Sequence, residues 1–195
     1  MIEIFYNKIK DLDETIVDNE FLLKRIKDTN DENYKMLRIN AYSFLLNVLK
    51  EKGIKPEFNL TRYGKLYLKD NTIYFNISHT KNAYAIAIAS QEVGIDIEIK
   101  RKYNEMSLKK MIDKCIAKEE VVLNGNDFIK NWTVKESFLK LLGTGINTSL
   151  KDVKVLDKVY LNEKSANYKT FDFEENIISI SYKEKDEIKI HDLKW

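Results

Sequence analysis

The chain has 195 residues, 44% hydrophobic and 33% charged, which is enough apolar mass for a core and too short for a large multidomain machine. Its 33 Lys+Arg against 31 Asp+Glu leave a net charge of only +2, without the basic excess of a dedicated nucleic-acid binder, so any anion site has to be a local cluster. Six Gly, one Pro and one Cys exclude collagen-like, low-complexity and disulfide-stapled classes and point to a reducing compartment.

Met1 to Lys8 reads as a first strand. It has no continuous apolar run after a basic start, so no secretory signal is expected, and no apolar stretch approaches the roughly 20 residues of a bilayer span. A soluble, cytoplasmic protein is the expectation. Polar segments follow, and then a helix from about Asp31 to Lys52, carried by Tyr34, Leu37, Ala41, Phe44, Leu45, Val48 and Leu49 at helical spacing. Thr29 with Glu32 offers its capping box and Gly53 its stop. Pro56 and Gly64 punctuate a loop region, after which Ile73, Phe75 and Ile77 alternate with Tyr74, Asn76 and Ser78 as in a half-buried strand that ends at His79.

Ala83, Ala85, Ala87 and Ala89 alternate with Tyr84, Ile86 and Ile88, a strand with one small-residue face where another element can approach closely. In Val93 to Ile99, Ile95, Ile97 and Ile99 share one face while Asp96 and Glu98 share the other. Helical patterns return over Ser107 to Leu123 and Phe128 to Leu142, and strands from Val153 onward, most clearly at Ile178 to Tyr182. His191 reads as a surface residue of a charged tail. The order predicts an α+β fold of two small halves, 1–90 and 91–195, split near residues 88 to 92 with no flexible linker and with an active site in the cleft between them.

Three features could carry chemistry. Asp96 and Glu98, at i and i+2 on a strand, stand roughly 7 Å apart on one face. They could hold a hard cation such as Mg²⁺ beside phosphates, or form only a solvent-facing stripe. His79, with Ser78 and Thr80, follows a buried strand end and is open to a role as base, phosphate donor or hydrogen-bonded loop residue. Trp132, Glu136 and Lys140 fall on one helix line, where Glu136 and Lys140 also suit an ordinary i, i+4 ion pair.

The blocks Tyr63-Gly64-Lys65, Phe75-Asn76-Ile77-Ser78-His79-Thr80, Val93-Gly94-Ile95-Asp96-Ile97-Glu98, Lys118-Glu119-Glu120 and Trp132-x-x-Lys135-Glu136-Ser137-x-x-Lys140-x-x-Gly143-x-Gly145 stand in one order over residues 62 to 145. In this the chain resembles the 4′-phosphopantetheinyl transferases of the Sfp type. The resemblance implies two similar α/β halves related by a pseudo-twofold axis, acting as a monomer. It also implies transfer of the phosphopantetheine arm of coenzyme A to a serine of an apo acyl or peptidyl carrier protein, with release of adenosine 3′,5′-bisphosphate.

By the same resemblance Asp96, Glu98 and Glu136 hold Mg²⁺, for which Mn²⁺ can substitute. Lys135 and Lys140 meet the phosphates of coenzyme A, Lys140 belongs to the catalytic set, His79 bonds a phosphate, and Lys65 with Ser78 lines the nucleotide pocket. Glu120 or Glu136 takes the serine proton, directly or through water. Of the N-terminal basic residues Lys24, Arg25, Lys27, Lys35 and Arg38, the 3′-phosphate is assigned to Lys24 and Lys27. Leu66 stands where the family often has Pro after Gly-Lys, which puts the local turn in question. Lys109, Lys110, Lys114 and Lys118 offer a positive face to an acidic carrier, while nucleic-acid and membrane partners are not expected. A Mg²⁺-dependent phosphohydrolase and a non-enzymatic nucleotide- or RNA-binding module are the competing classes.

Overall fold

The alternation of alanine with larger residues over 83–89 decides how the molecule is layered. The computed structural model describes residues 1–144, 148–173 and 175–192. Its elements in order are β1 (Ile2–Lys8), α1 (Glu20–Lys27), α2 (Glu32–Glu51), β2 (Phe58–Leu60), β3 (Leu66–Leu68), β4 (Tyr74–His79), β5 (Ala83–Ala89), β6 (Val93–Ile99), α3 (Glu105–Cys115), α4 (Gly125–Leu142), β7 (Lys154–Val155), β8 (Val159–Leu161), β9 (Lys164–Asp172), β10 (Asn176–Tyr182) and β11 (Ile188–Asp192). They form a sheet of order β11-β1-β5-β4, a second of order β6-β10-β9-β8-β7, and a β2-β3 hairpin. This is the expected α+β class.

The alanine face of β5 joins Ile2 and Ile4 of β1 in packing against Ile95, Ile97, Ile178 and Ile180 of the second sheet. Methyl side chains there allow the two sheets to close on each other. The opposite face, Tyr84, Ile86 and Ile88, is covered by Phe44, Leu45, Val48 and Leu49 of α2 and by Leu22 and Ile26 of α1. With both faces covered, every residue of β5 is buried. β4 and β6 are joined through side chains: the Ile95 amide donates to Asn76 Oδ1 at 2.8 Å and the Ile97 amide to Ser78 Oγ at 3.4 Å.

Because Val93, Ile95 and Ile97 face the first sheet, the alternate residues Gly94, Asp96 and Glu98 face α4. The helix comes down on the sheet at Gly94, where an added Cβ would stand 2.0 Å from the Ser137 carbonyl oxygen. Small hydroxyls complete the contact, with Thr133 Oγ1 2.7 Å from Ser179 Oγ and Ser137 Oγ 2.7 Å from Ser181 Oγ. This close approach sets Glu136 and Lys140 against β6.

Several elements differ from the sequence expectations. Asp31, not Thr29, caps α2 by accepting from the Tyr34 amide at 2.9 Å, while the Thr29 hydroxyl donates to the Arg25 carbonyl. Gly53 does end that helix, with φ +72°. α1 occupies a stretch that reads as merely polar, and Asn19 caps it by accepting from the Leu22 amide. α3 stops at Cys115 because Ile116 turns extended and the Glu120 carboxylate takes the amide of Ala117. Finally, β11 pairs in parallel with β1, so the C-terminal strand belongs to the first sheet rather than to a half spanning 91–195. His191 accordingly stacks on the Phe5 ring, with centroids 4.6 Å apart, instead of standing free at the surface. Gly145, the last residue of the helix motif, lies outside the described residues.

Candidate active site

A cavity of about 270 Å³ opens between α1, α2, the end of β4 and the last turn of α4, lined by Arg25, Tyr34, Arg38, Tyr42, Lys65, His79 and Lys140 among others. Its basic wall is built by helix packing. The Arg25 side chain donates to Tyr42 Oη at 3.1 Å, and Arg38 donates to the Arg25 carbonyl at 2.7 Å while its guanidinium lies 5.1 Å from the Tyr34 ring centre. Tyr34 in turn meets the His79 imidazole edge-on at 4.9 Å. Burial, reinforced by the Lys140 charge, lowers the His79 pKa, so the ring is held neutral and presents both a donor and an acceptor. Lys65 is anchored by donating to the Lys140 carbonyl at 2.8 Å.

These contacts bring N-terminal cations to the cavity other than the two expected from the sequence. Lys24 and Lys27 project into solvent from α1, whereas Arg25 and Arg38 line the cavity. Adjacent residues on a helix point about 100° apart, so Arg25 faces inward when Lys24 faces out. The signal in the sequence is the apolar pair Leu22 and Ile26: Arg25 falls beside that stripe and Lys24 on its far side.

The three carboxylates lie where β6 faces α4. Asp96 is 5% exposed and Glu136 8%, and Asp96 Oδ2 and Glu136 Oε1 are buried without a hydrogen-bond partner among the described residues. Burial and the neighbouring Asp96 and Glu98 charges push the Glu136 pKa up to about 7. Burial and Asp96 likewise raise that of Glu98, which accepts from Trp132 and lies 3.7 Å from Arg101. Mutual repulsion of this kind marks a place where positive charge is wanted. Part of it is already there: Lys140 Nζ is 2.6 Å from Asp96 Oδ1 and 2.7 Å from Ser78 Oγ, and Ser78 Oγ donates to the same Oδ1 at 2.9 Å. Lys140 thus pairs with the strand carboxylate instead of making the helical pair with Glu136.

Among the described residues no three His, Cys, Asp or Glu side chains are already gathered as a ready-made metal cage. The chemistry of the set nevertheless fits a hard divalent cation: oxygen donors only, two of them buried and unpartnered, with raised carboxylate pKa values.

Three further residues expected at the site are placed outside the cavity. Lys135 is fully buried and points away from the cavity. Its ammonium donates to the Cys115 carbonyl at 2.7 Å, to Glu120 Oε2 at 2.7 Å and to the Leu150 carbonyl at 3.0 Å, which uses all three of its protons and leaves none for a phosphate. Glu120, with its side chain 1% exposed, also accepts from Ala117 N, Asn131 Nδ2 and Val155 N, so its lone pairs are taken by donors of the protein itself. Ser78 is buried against Asp96 and Lys140 and does not line the cavity.

The sequence model of the 4′-phosphopantetheinyl transferase superfamily matches residues 92–190. The chain is 32% identical over 110 residues to 4′-phosphopantetheinyl transferase gsp of Aneurinibacillus migulanus, covering 53% of this chain and 45% of that protein. It is 30% identical over 103 residues to 4′-phosphopantetheinyl transferase Sfp of Bacillus subtilis, covering 50% of this chain and 46% of that one. With a putative 4′-phosphopantetheinyl transferase of Haemophilus influenzae it shares 30% identity over 149 residues, 69% of this chain and 62% of that one. The chain spans about half the length of the first two of these relatives.

Proposed function

The chain belongs to the 4′-phosphopantetheinyl transferase superfamily, and from that membership we propose that it transfers the 4′-phosphopantetheine arm of coenzyme A to a serine of an apo acyl or peptidyl carrier protein, in a Mg²⁺-dependent reaction that releases adenosine 3′,5′-bisphosphate. The observation that carries the proposal is the junction at Lys140: one side chain lines a cavity walled by Arg25, Arg38, Lys65 and His79 and also reaches the buried carboxylate Asp96. A basic nucleotide-sized recess joined to a cluster of carboxylates suits a substrate that carries both a 3′-phosphate and a pyrophosphate.

In this reading Arg25 and Arg38 bind the 3′-phosphate through charge-assisted hydrogen bonds, and neutral His79 donates to a phosphate oxygen. Asp96, Glu98 and Glu136 hold the divalent cation, which when bound neutralises pyrophosphate charge and improves the leaving group. Lys140 adds positive charge beside the same phosphates. Glu136, directly or through water, receives the serine proton, since Glu120 is saturated by other donors. Lys109, Lys110, Lys114 and Lys118, all exposed, offer an acidic carrier its docking face, while Met111, Ile112 and Ile116 pack inward with Phe128. We place the chain in the cytoplasm as a monomer. No described helix is long and apolar enough to cross a membrane.

Intact mass spectrometry of apo carriers incubated with the protein, coenzyme A and Mg²⁺ tests the proposal. One added phosphopantetheine arm, lost with EDTA, is the expected result. No mass gain on any of several acyl and peptidyl carriers, from folded protein that binds coenzyme A, would overturn it.

A further inference from the structure

We infer that the Lys140 ammonium is the resident counter-ion of the carboxylate site, and that a divalent cation displaces it from Asp96 into the adjoining cavity. This rests on the reading of Asp96, Glu98 and Glu136 as metal ligands, and it adds a coupling between loading the cation and binding the anion.

Three observations carry it. The first is the closed ring of contacts in which Lys140 Nζ donates to both Asp96 Oδ1 and Ser78 Oγ, and Ser78 Oγ donates to the same Oδ1. The second is the pair of oxygens beside it, Asp96 Oδ2 and Glu136 Oε1, on residues more than nine-tenths buried and without partners among the described residues. Lys140 serves Asp96 Oδ1 and Arg101 stands by Glu98, so neither reaches this pair of oxygens, and a doubly charged cation fills the place. The third is the contrast between two lysines of one helix. Lys135 is clamped by three acceptors at zero exposure, whereas the Lys140 side chain is 30% exposed and borders the cavity.

A divalent cation and an ammonium on one carboxylate repel each other. The ammonium is the partner that can leave, since it sits on a flexible four-carbon stem. Ser78 stays behind as a donor to Oδ1, so Asp96 keeps its orientation. The displaced ammonium enters a recess already lined by Arg25, Arg38 and His79. The cation therefore also arms the cavity for phosphate, by adding this ammonium to its basic wall.

Mn²⁺ titration by electron paramagnetic resonance, with no nucleotide or carrier present, compares the wild-type chain with Lys140→Met. Removing the competing charge should tighten Mn²⁺ binding about tenfold or more. A second readout uses the wild-type chain alone: reductive methylation mapped by peptide mass spectrometry should rise several-fold at Lys140 on saturation with Mg²⁺ and remain absent at Lys135. An unchanged or weaker Mn²⁺ affinity in a folded Lys140→Met protein overturns the inference, as does unchanged methylation of Lys140, because the ammonium then stays on Oδ1 while the cation takes Oδ2. If the variant does not fold, the methylation result decides. No Mn²⁺ binding by either protein, or equal binding by Asp96→Ala and wild type, overturns the ligand reading itself and this inference with it.

Discussion

Asp96 and Glu136 are buried carboxylates with an oxygen each that no donor among the described residues reaches, an arrangement that costs stability and has to serve something else. Asp96→Ala and Glu136→Ala should each lower transfer to a carrier by about a thousandfold, the scale of several kcal/mol of charge stabilisation, in a mass-based assay. The same Glu136→Ala protein should melt no lower than wild type, since the change relieves repulsion from Asp96 and Glu98. A normal rate in either variant at ordinary Mg²⁺ would remove both from the site. In the cavity, Arg25→Ala and Arg38→Ala should raise the KM for coenzyme A roughly tenfold or more, the worth of a charged hydrogen bond, with kcat less affected. Lys24→Ala and Lys27→Ala should leave it unchanged.

The legibility of these residues follows their backbone. Alternation on β6 is enough to put Asp96 and Glu98 on one face, because a strand has only two faces. A helix has no such economy: in Trp132 to Lys140 the spacing groups Trp132, Glu136 and Lys140 correctly but does not say that Lys135 turns into the interior, since a buried lysine needs partners from Cys115, Glu120 and Leu150, which the local sequence does not reveal.

At the scale of elements, α4 is the part that fixes the site, and it is held by two devices. One is the Lys135–Glu120 pair, which ties α4 to the loop after α3, to β7 and to the segment at Leu150. Lys135→Met or Glu120→Gln alone should cost about 3–5 kcal/mol in urea denaturation, the penalty of stranding a buried charge or its acceptors, and the double variant should recover part of that loss. The other is the contact at Gly94, where a methyl would meet backbone atoms of Ser137 and Leu141 that cannot rotate away. Gly94→Ala should cost about 3 kcal/mol or more, and any folded fraction should lose transfer because α4 has lifted from Asp96. Soluble Gly94→Ala protein with normal Tm and rate would show that the helix sits further off the sheet. Helices as long as α2 and α4, of 20 and 18 residues, are readable in outline. α1 and the β2-β3 hairpin are not, because segments of eight and three residues are too short to stand above the surrounding polar sequence.

For the molecule as a whole, the decisive packing is between the two sheets, the alanine face of β5 against the isoleucines of β6 and β10. That interface keeps Ser78 at the end of β4 within reach of Asp96 and Lys140. β11 completes the first sheet by lying along β1, with Ile188 and Ile190 packed against the same core. Truncation after Glu187 should cost about 3 kcal/mol from those two side chains alone, seen as a fall in Tm of about 6–12 °C.

The parallel pairing of β1 with β11 also orders events during synthesis. Among the described strands β1 leaves the ribosome before all the others and β11 after them. Until β11 emerges, one edge of β1 has its amides and carbonyls open to any passing strand. A ribosome paused before β11 thus holds a nascent chain with a bare, sticky margin, and it is there that a holding chaperone would be needed.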